Sequence, residues 1–323
     1  NSKLDKIQQP VLDESKIKVN QEVQDSIDSE TSSLTGYTTY ALFGIDHRDK
    51  NTALGGENSD TIIIASVNND TKDVKLVSVY RDSYLDTGNG TYQKCNAAYA
   101  KGGPEQALSM LNTNLDLAIT DYVTVDFNAI IECVDLLGGV DITITDDEAS
   151  LMIGYMKELN ELTGHNSTPP ASGGTYTLDG VQACAYARIR YGGGDDYRRT
   201  ERQRTVLTAM MQKAQKSNIL TLNKLINAAF GDIQTSFSNT DLLALATKVF
   251  SYDIGDTTGF PYEKTTHKYD KIGDVVIPCD LASNVTQLHQ FLFNDENYTP
   301  SATVLSNSQQ IISNTGYKQG DGH

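Results

Sequence analysis

Residues 61–67 read Thr-Ile-Ile-Ile-Ala-Ser-Val, and this run constrains the fold more than any other. Its β-branched side chains predict a strand, apolar enough to be buried on both faces. Residues 68–73 (Asn-Asn-Asp-Thr-Lys-Asp) read as a turn, and 74–79 as a second strand, which makes the pair a hairpin. A third strand is predicted at 37–46. A strand covered from both sides needs layers above and below it, and the rest of the chain supplies them.

Helical spacing runs over 104–117, with Pro104 in a first-turn position, and over 127–137, stopped by Gly138-Gly139. Further helices are predicted at 147–162, 178–186, 200–217, 240–250 and 280–293. Strands are predicted at 121–126, 140–145 and 274–278, and an exposed loop at 165–174 from its Pro, Gly and Ser content. Strands alternating with helices predict an α/β fold, a single α/β/α sandwich with a central mixed β-sheet. Residues 1–36 are polar and read as a stalk, 37–297 as the folded domain, and 298–323 as a flexible tail.

Charge narrows the function classes. The chain has 26 Lys+Arg against 42 Asp+Glu, a net charge of -16, which argues against binding nucleic acid through a general basic field. No apolar run reaches the length of a bilayer span. Cys95, Cys133, Cys184 and Cys279 show no metal-ligand spacing. Cys133 and Cys184 read as buried thiols, and Cys95 with Cys279 as a disulfide pair in an oxidising compartment. The arginines are distributed unevenly: only eight of the 26 cations are Arg, and six of those fall between Arg188 and Arg204. A planar guanidinium fork binds phosphate or carboxylate oxygens bidentately, which a Lys point charge cannot do.

Three constellations could carry chemistry. Asp46 ends one predicted strand and Asp60 begins the next, so two carboxylates converge at one end of the sheet, a donor set suited to Mg2+. A strand-end Asp is ordinarily a turn former, but the loop between these two is long for a hairpin. Arg81 and Asp82 follow directly on a buried strand, where they read either as a surface ion pair or as part of a cleft. The strongest signal is Arg188, Arg190, Arg199, Arg202 and Gln203. Arg188 and Arg190 share a face if extended, Gly192 to Gly194 form a bend, and Arg199 shares a helical face with Arg202 and Gln203. Asp195, Asp196 and Glu201 offset half of the cluster, and the concentration favours a polyanion or pyrophosphate site over a solvated helix face. His47 has no partner pattern, and no Ser-His-Asp arrangement is identifiable.

The chain resembles the LytR-CpsA-Psr family of cell-wall ligases. The resemblance rests on ALFGID at 41–46, SDT at 59–61, SVYRDSYL at 78–85, NAAYAKGG at 96–103, VDLLGGVDI at 134–142, LDGVQACAYARIR at 178–190 and DYRRTERQ at 196–203, in the family's order. It implies an extracytoplasmic α/β/α domain, anchored to the cell membrane of a Gram-positive-type bacterium by an N-terminal helix upstream of this sequence. It implies transfer of a phosphate-linked glycopolymer (teichoic acid, capsule or similar) from a polyprenyl pyrophosphate carrier to peptidoglycan. The lipid tail is expected in a hydrophobic groove between sheet and helices. Residue by residue, Asp46 and Asp60 would hold Mg2+, with Mn2+ as a substitute. Arg81, Arg188, Arg190, Arg199 and Arg202 would bind pyrophosphate oxygens, with Gln203 in support. Arg81, Asp82 and Arg199 would act in catalysis, Asp82 as the base. Asn58 stands where the family often has Arg, Tyr80 where it often has Pro, and three Gly precede Asp195.

Two other functions use the same residues. A polyprenyl pyrophosphate hydrolase would replace the sugar hydroxyl by water, and a non-enzymatic polyprenyl-phosphate binder would hold the lipid without turnover. A transcriptional role fits neither the acidity nor the absence of a DNA-binding motif.

Overall fold

The computed structural model of the protein describes residues 12–323 apart from 49–53, 55, 192–195 and 230. In chain order it begins with α1 (Gln21–Asp28), β1 (Tyr37–Ile45), β2 (Ser59–Asn68), β3 (Asp73–Val79), β4 (Tyr84–Asp86), β5 (Tyr92–Lys94), α2 (Ala97–Leu115) and β6 (Asp121–Val125). There follow α3 (Phe127–Leu136), β7 (Val140–Ile144), α4 (Asp146–Thr163), β8 (Gly174–Leu178), α5 (Gly180–Arg188), α6 (Asp196–Gln215), α7 (Ile219–Ala229), β9 (Ile233–Thr235) and α8 (Asn239–Lys248). Last come β10 (Asp253–Phe260), β11 (Lys264–Tyr269), β12 (Gly273–Pro278), α9 (Leu281–Phe293) and α10 (Ala302–Thr315). Two compact units divide these residues, one comprising 12–123 with 255–323 and the other 124–254.

In the first unit the sheet runs in the order β10-β3-β2-β1-β6, with β1, β2 and β3 antiparallel. Alternate residues Ala41, Phe43 and Ile45 of β1 enter one core with Ile62 and Ile64 of β2, Val77 and Val79 of β3, and residues of α2, α9 and α10. Phe43 lies 5.2 Å from the ring of Tyr99 and 6.4 Å from that of Tyr122. Each such fully buried side chain stabilises the fold by about 1.5–3 kcal/mol. Ile63 and Leu76 are also buried, so β2 and β3 lose water from both faces as the apolar run predicts. Helix α2 breaks at Gly102 and Gly103 and resumes at Pro104, where the sequence places a helix start.

The second unit has its own core of α3, α4, α5, α6 and the β7–β8 hairpin. Gly138 (φ +81) and Gly139 (φ +91) stop α3 in backbone conformations that a side chain would strain.

The structure corrects three expectations. Residues 12–36 are not a free stalk: Ile17 and Val23 are buried, and Asn20 Nδ2 donates to Asp116 Oδ1 at 2.6 Å. Residues 298–323 are not a flexible tail, because α10 packs on α2 and α9 with Val304 and Ile311 fully buried. Neither segment has a continuous apolar stripe, so its few core positions were hidden among polar ones. Cys95 and Cys279 are free thiols: Cys95 Sγ donates to the Tyr80 carbonyl at 3.3 Å, and burial, ahead of Glu263, pushes the Cys279 thiol up to about 11. A thiol held above the physiological range forms little thiolate and oxidises poorly.

Two predictions follow from this packing. Ile311→Ala should lower stability by about 2–5 kcal/mol in urea unfolding, through cavity formation; a loss under about 0.5 kcal/mol would return residues 298–323 to a loose tail. The second concerns His289, which is buried, donates Nε2–H to the Leu115 carbonyl at 2.8 Å, stacks on Tyr298 at 3.9 Å and leaves Nδ1 without a partner. Burial lowers its pKa below the unfolded value of 6.5, so the unfolded chain takes up the extra proton first. Stability should therefore fall as pH drops through about 6.5, and His289→Gln should flatten that part of the pH profile.

Candidate active site

In the first unit the geometry of a hairpin end sets the carboxylates. Gly44 pairs with Thr61 and Ile45 with Ser59, so the register shifts and Asp60 is the extra residue on β2. Such a bulge re-aims one side chain out of the alternation. Asp60 Oδ1 accepts from Arg81 Nη1 at 2.8 Å, and Asp46 Oδ2 accepts from Arg48 Nη2 at 3.0 Å. Both carboxylates remain partly exposed, at 38% and 36%. His47, which lacked any partner pattern, is buried and pairs through Nδ1 with Glu57 Oε1 at 2.5 Å.

Arg81 and Asp82 form the turn after β3. The Ser83 amide donates to the Tyr80 carbonyl at 2.9 Å, while the carbonyls of Arg81 and Asp82 accept from Asn96 N at 3.1 Å and Val276 N at 2.8 Å. This pinned backbone leaves the two side chains to be set by their ion pairs, Arg81 with Asp60 and Asp82 Oδ1 with Lys94 Nζ at 3.4 Å. Lys94, on β5, was not singled out in the sequence, because the short β4–β5 hairpin gives no periodic signal. Tyr80, which stands where Pro is often found in similar chains, is buried and donates its amide to Phe260 O at 3.0 Å, a bond Pro could not make.

Asp46 and Asp60 offer hard oxygen donors at neighbouring strand ends, and Mg2+ is satisfied by one or two carboxylates with water and phosphate oxygens. The donor chemistry fits that ion. Among the described residues there is no group of three or more His, Cys, Asp or Glu arranged to hold a metal by protein ligands alone.

In the second unit α5 delivers the first two arginines. Asp179 and Gln182 form a capping box at its start, and Gly180 N donates to Asp135 Oδ1 at 2.7 Å. A Cβ at Gly180 would lie 2.2 Å from the Ile131 carbonyl, so only glycine allows α5 to approach α3 this closely. Arg188, the last residue of α5, lies 3.8 Å from Glu158 Oε2 and 6.0 Å from the Phe127 ring. Ile189 is fully buried, and Arg190 follows it half-buried, in no ion pair among the described residues.

Helix α6 starts at Asp196, four residues earlier than expected, so it carries Arg198 and Arg199 in its first turn. Arg199 is buried and pairs with Asp196 Oδ1 at 3.0 Å, whereas Arg198 is exposed. Gln203, one turn further on, has its Oε1 buried without a hydrogen-bond partner. Arg202 departs from its expected role: its Nε donates to Glu148 Oε2 at 2.7 Å and its Nη1 to Ile189 O at 3.3 Å. The three-glycine bend and Asp195 lie outside the described residues. Four fixed donors or cations thus line up along α5, its continuation and one face of α6, an arrangement able to bind an anion with little reorganisation.

A buried carbonyl without a partner costs stability. Gln203→Met should therefore leave the urea midpoint unchanged or raise stability by about 1 kcal/mol, as expected of a residue kept for binding. A loss of about 2 kcal/mol or more in the same titration would mark Gln203 as structural.

Comparison with known proteins places these residues in context. The profile of the LytR_cpsA_psr family matches residues 1–270. A polyisoprenyl-teichoic acid–peptidoglycan teichoic acid transferase TagU of Enterococcus faecalis is 33% identical over 208 residues, 64% of this chain and 63% of that protein. The chain thus spans somewhat under two thirds of that relative's length. Among solved structures, TagT bound to LI-WTA superposes with a TM-score of 0.63 at 22% identity, covering 83% of this chain and 93% of the other. The family protein YwtF (TagT) with bound octaprenyl pyrophosphate lipid gives 0.58 at 21% identity, covering 81% and 92%. These likenesses establish the α/β fold with its helix-flanked central sheet.

Proposed function

The chain belongs to the LytR-CpsA-Psr family, and from that premise we propose that it is a transferase moving a phosphate-linked glycopolymer from a polyprenyl pyrophosphate carrier to peptidoglycan. The observation that carries the reading is the arginine set of the second unit, in which Arg190 stands in no ion pair among the described residues and Arg199 is held buried on α6. The TagU relative is a teichoic acid transferase of this kind, from a polyisoprenyl carrier to peptidoglycan. Peptidoglycan as the acceptor would put the protein outside the cytoplasm, at the membrane surface. The polymer is a teichoic acid or a related wall or capsular chain, and the prenyl tail would lie in an apolar groove.

In this reaction a peptidoglycan hydroxyl, that of a muramic acid, attacks the phosphorus nearest the glycopolymer. A new phosphodiester P–O bond forms, the P–O bond to the carrier breaks, and polyprenyl monophosphate leaves. The hydroxyl proton passes to Asp82, whose carboxylate lies beside Lys94. The family resemblance assigns Arg81 of the first unit and Arg188, Arg190 and Arg199 of the second to the phosphate oxygens, where charge grows in the transition state, with Gln203 in support. Asp46 and Asp60 are the residues that would hold Mg2+, which supplies charge neutralisation at the pyrophosphate when bound.

The test is a turnover assay with a synthetic polyprenyl-pyrophosphate-linked sugar, peptidoglycan oligomers and Mg2+, with an EDTA control. Release of polyprenyl monophosphate with sugar joined to peptidoglycan, abolished by EDTA, is the expected result. Release without joining would make the protein a hydrolase, and binding without release a carrier. Asp60→Asn and Arg199→Lys should each lower the rate by about 10²–10³-fold with the circular dichroism unchanged. Arg199→Lys keeps a cation beside the buried Asp196 and removes only the fork. Wild-type rates in both would remove the site assignment.

A further inference from the structure

The geometry points to Glu148 as a positioning residue for the arginine cluster, with Arg202 acting as its brace and not as a contact to the substrate's phosphates. This rests on the reading of that cluster as a pyrophosphate site. Glu148 is 8% exposed and Arg202 7%. The carboxylate is divided between two tasks: Oε1 accepts from Thr145 N at 3.0 Å, closing the capping box that starts α4, and Oε2 accepts from Arg202 Nε at 2.7 Å.

The guanidinium is divided in the same way. Its Nε faces Glu148, its Nη1 donates to the Ile189 carbonyl at 3.3 Å, and its plane lies 5.2 Å from the Tyr191 ring. Three pieces of chain therefore meet on one ion pair, namely the start of α4, residues 189–191 after α5, and the second turn of α6. Arg188 and Arg190 flank the carbonyl that Arg202 holds, and Arg199 and Gln203 flank Arg202 on its own helix. The spacing between these two arms of the cluster is set through Arg202.

Arg202 differs from Arg199, whose carboxylate partner sits three residues away on the same helix: its bonds to Glu148 and to the Ile189 carbonyl tie α6 to two other segments. An anion that drew the guanidinium away would release both ties and leave a buried carboxylate unpaired, which is strongly unfavourable. Placement, by contrast, suits this arrangement, because an error of about 1 Å in a binding group can cost about 100-fold in rate. Nothing in the sequence announces Glu148, which lies 54 residues upstream of its partner. Arg202 entered the predicted ligand set on residue type and helical spacing alone.

A double-mutant cycle separates brace from ligand. Calorimetric titration of the full chain with geranyl pyrophosphate and Mg2+ should show Glu148→Met, Arg202→Met and the double variant all losing affinity by the same factor, about tenfold, because each breaks one shared device. Binding within about twofold of wild type in Glu148→Met, with a loss of about tenfold or more in Arg202→Met, would make Arg202 a direct ligand and overturn the proposal. Hydrogen exchange without any ligand uses the milder Glu148→Gln and Arg202→Lys, which retain hydrogen-bonding capacity at the buried site. Amides of residues 188–191 should exchange about tenfold faster in both variants, with those of α9 unchanged. Unchanged exchange at 188–191 would overturn the brace. Failure of the wild-type chain to bind the probe would overturn the pyrophosphate reading while leaving the exchange result to decide the brace.

Discussion

A guanidinium removed from water has to bring a partner with it, and this constraint organises the second unit. Arg199, Arg202 and Arg204 are all buried, whereas no lysine among the described residues is. Arg199 takes Asp196 within α6 itself and Arg202 takes Glu148 of α4, so α6 is oriented against α4 by an ion pair at its second turn. Apolar packing alone would leave rotation of this helix poorly specified, since Val206 and Ala209 are its only buried hydrophobic residues. Fixed-geometry hydrogen bonds supply the direction that a sparse apolar face does not.

The first unit solves a different problem. Its strands β2 and β3 are apolar on both faces, so they are held firmly, and the charged residues gather where strands end. The bulge at Asp60 and the pinned turn at Arg81–Asp82 are the means by which a rigid sheet presents side chains without softening its own hydrogen bonding. The ion pairs Arg81–Asp60 and Lys94–Asp82 are only partly buried and contribute modestly to stability. Their value lies in orientation, which is what the proposed phosphoryl transfer would ask of a protein that performs little covalent chemistry itself.

Much of the fold was legible from periodicity. The strands at β1, β2, β3, β6 and β7, the stop of α3 at Gly138-Gly139 and the restart of α2 at Pro104 all follow from local pattern and turn chemistry. Elements that were not read differ in cause. Strand β11 is half to fully exposed and β4 and β5 are three residues each, so they carry no hydrophobic period strong enough to see, whereas α7 and α10 do have apolar positions at helical spacing. Residues 12–36 read as a stalk because their order depends on contacts such as Asn20 with Asp116, which join residues 96 positions apart.

The amino-acid sequence by itself determined the family, the α/β class, the strand-end carboxylates and the concentration of arginine between 188 and 204. Those properties are written in residue type and short spacing, which survive without knowledge of the fold. Tertiary structure alone decided what each charge is for: that His47 belongs to Glu57, that Cys95 and Cys279 stay reduced, and that Arg202 faces Glu148 instead of solvent. The reason is that a guanidinium's function depends on its partner. Partners are chosen by packing between segments far apart in the chain, where local pattern carries no information.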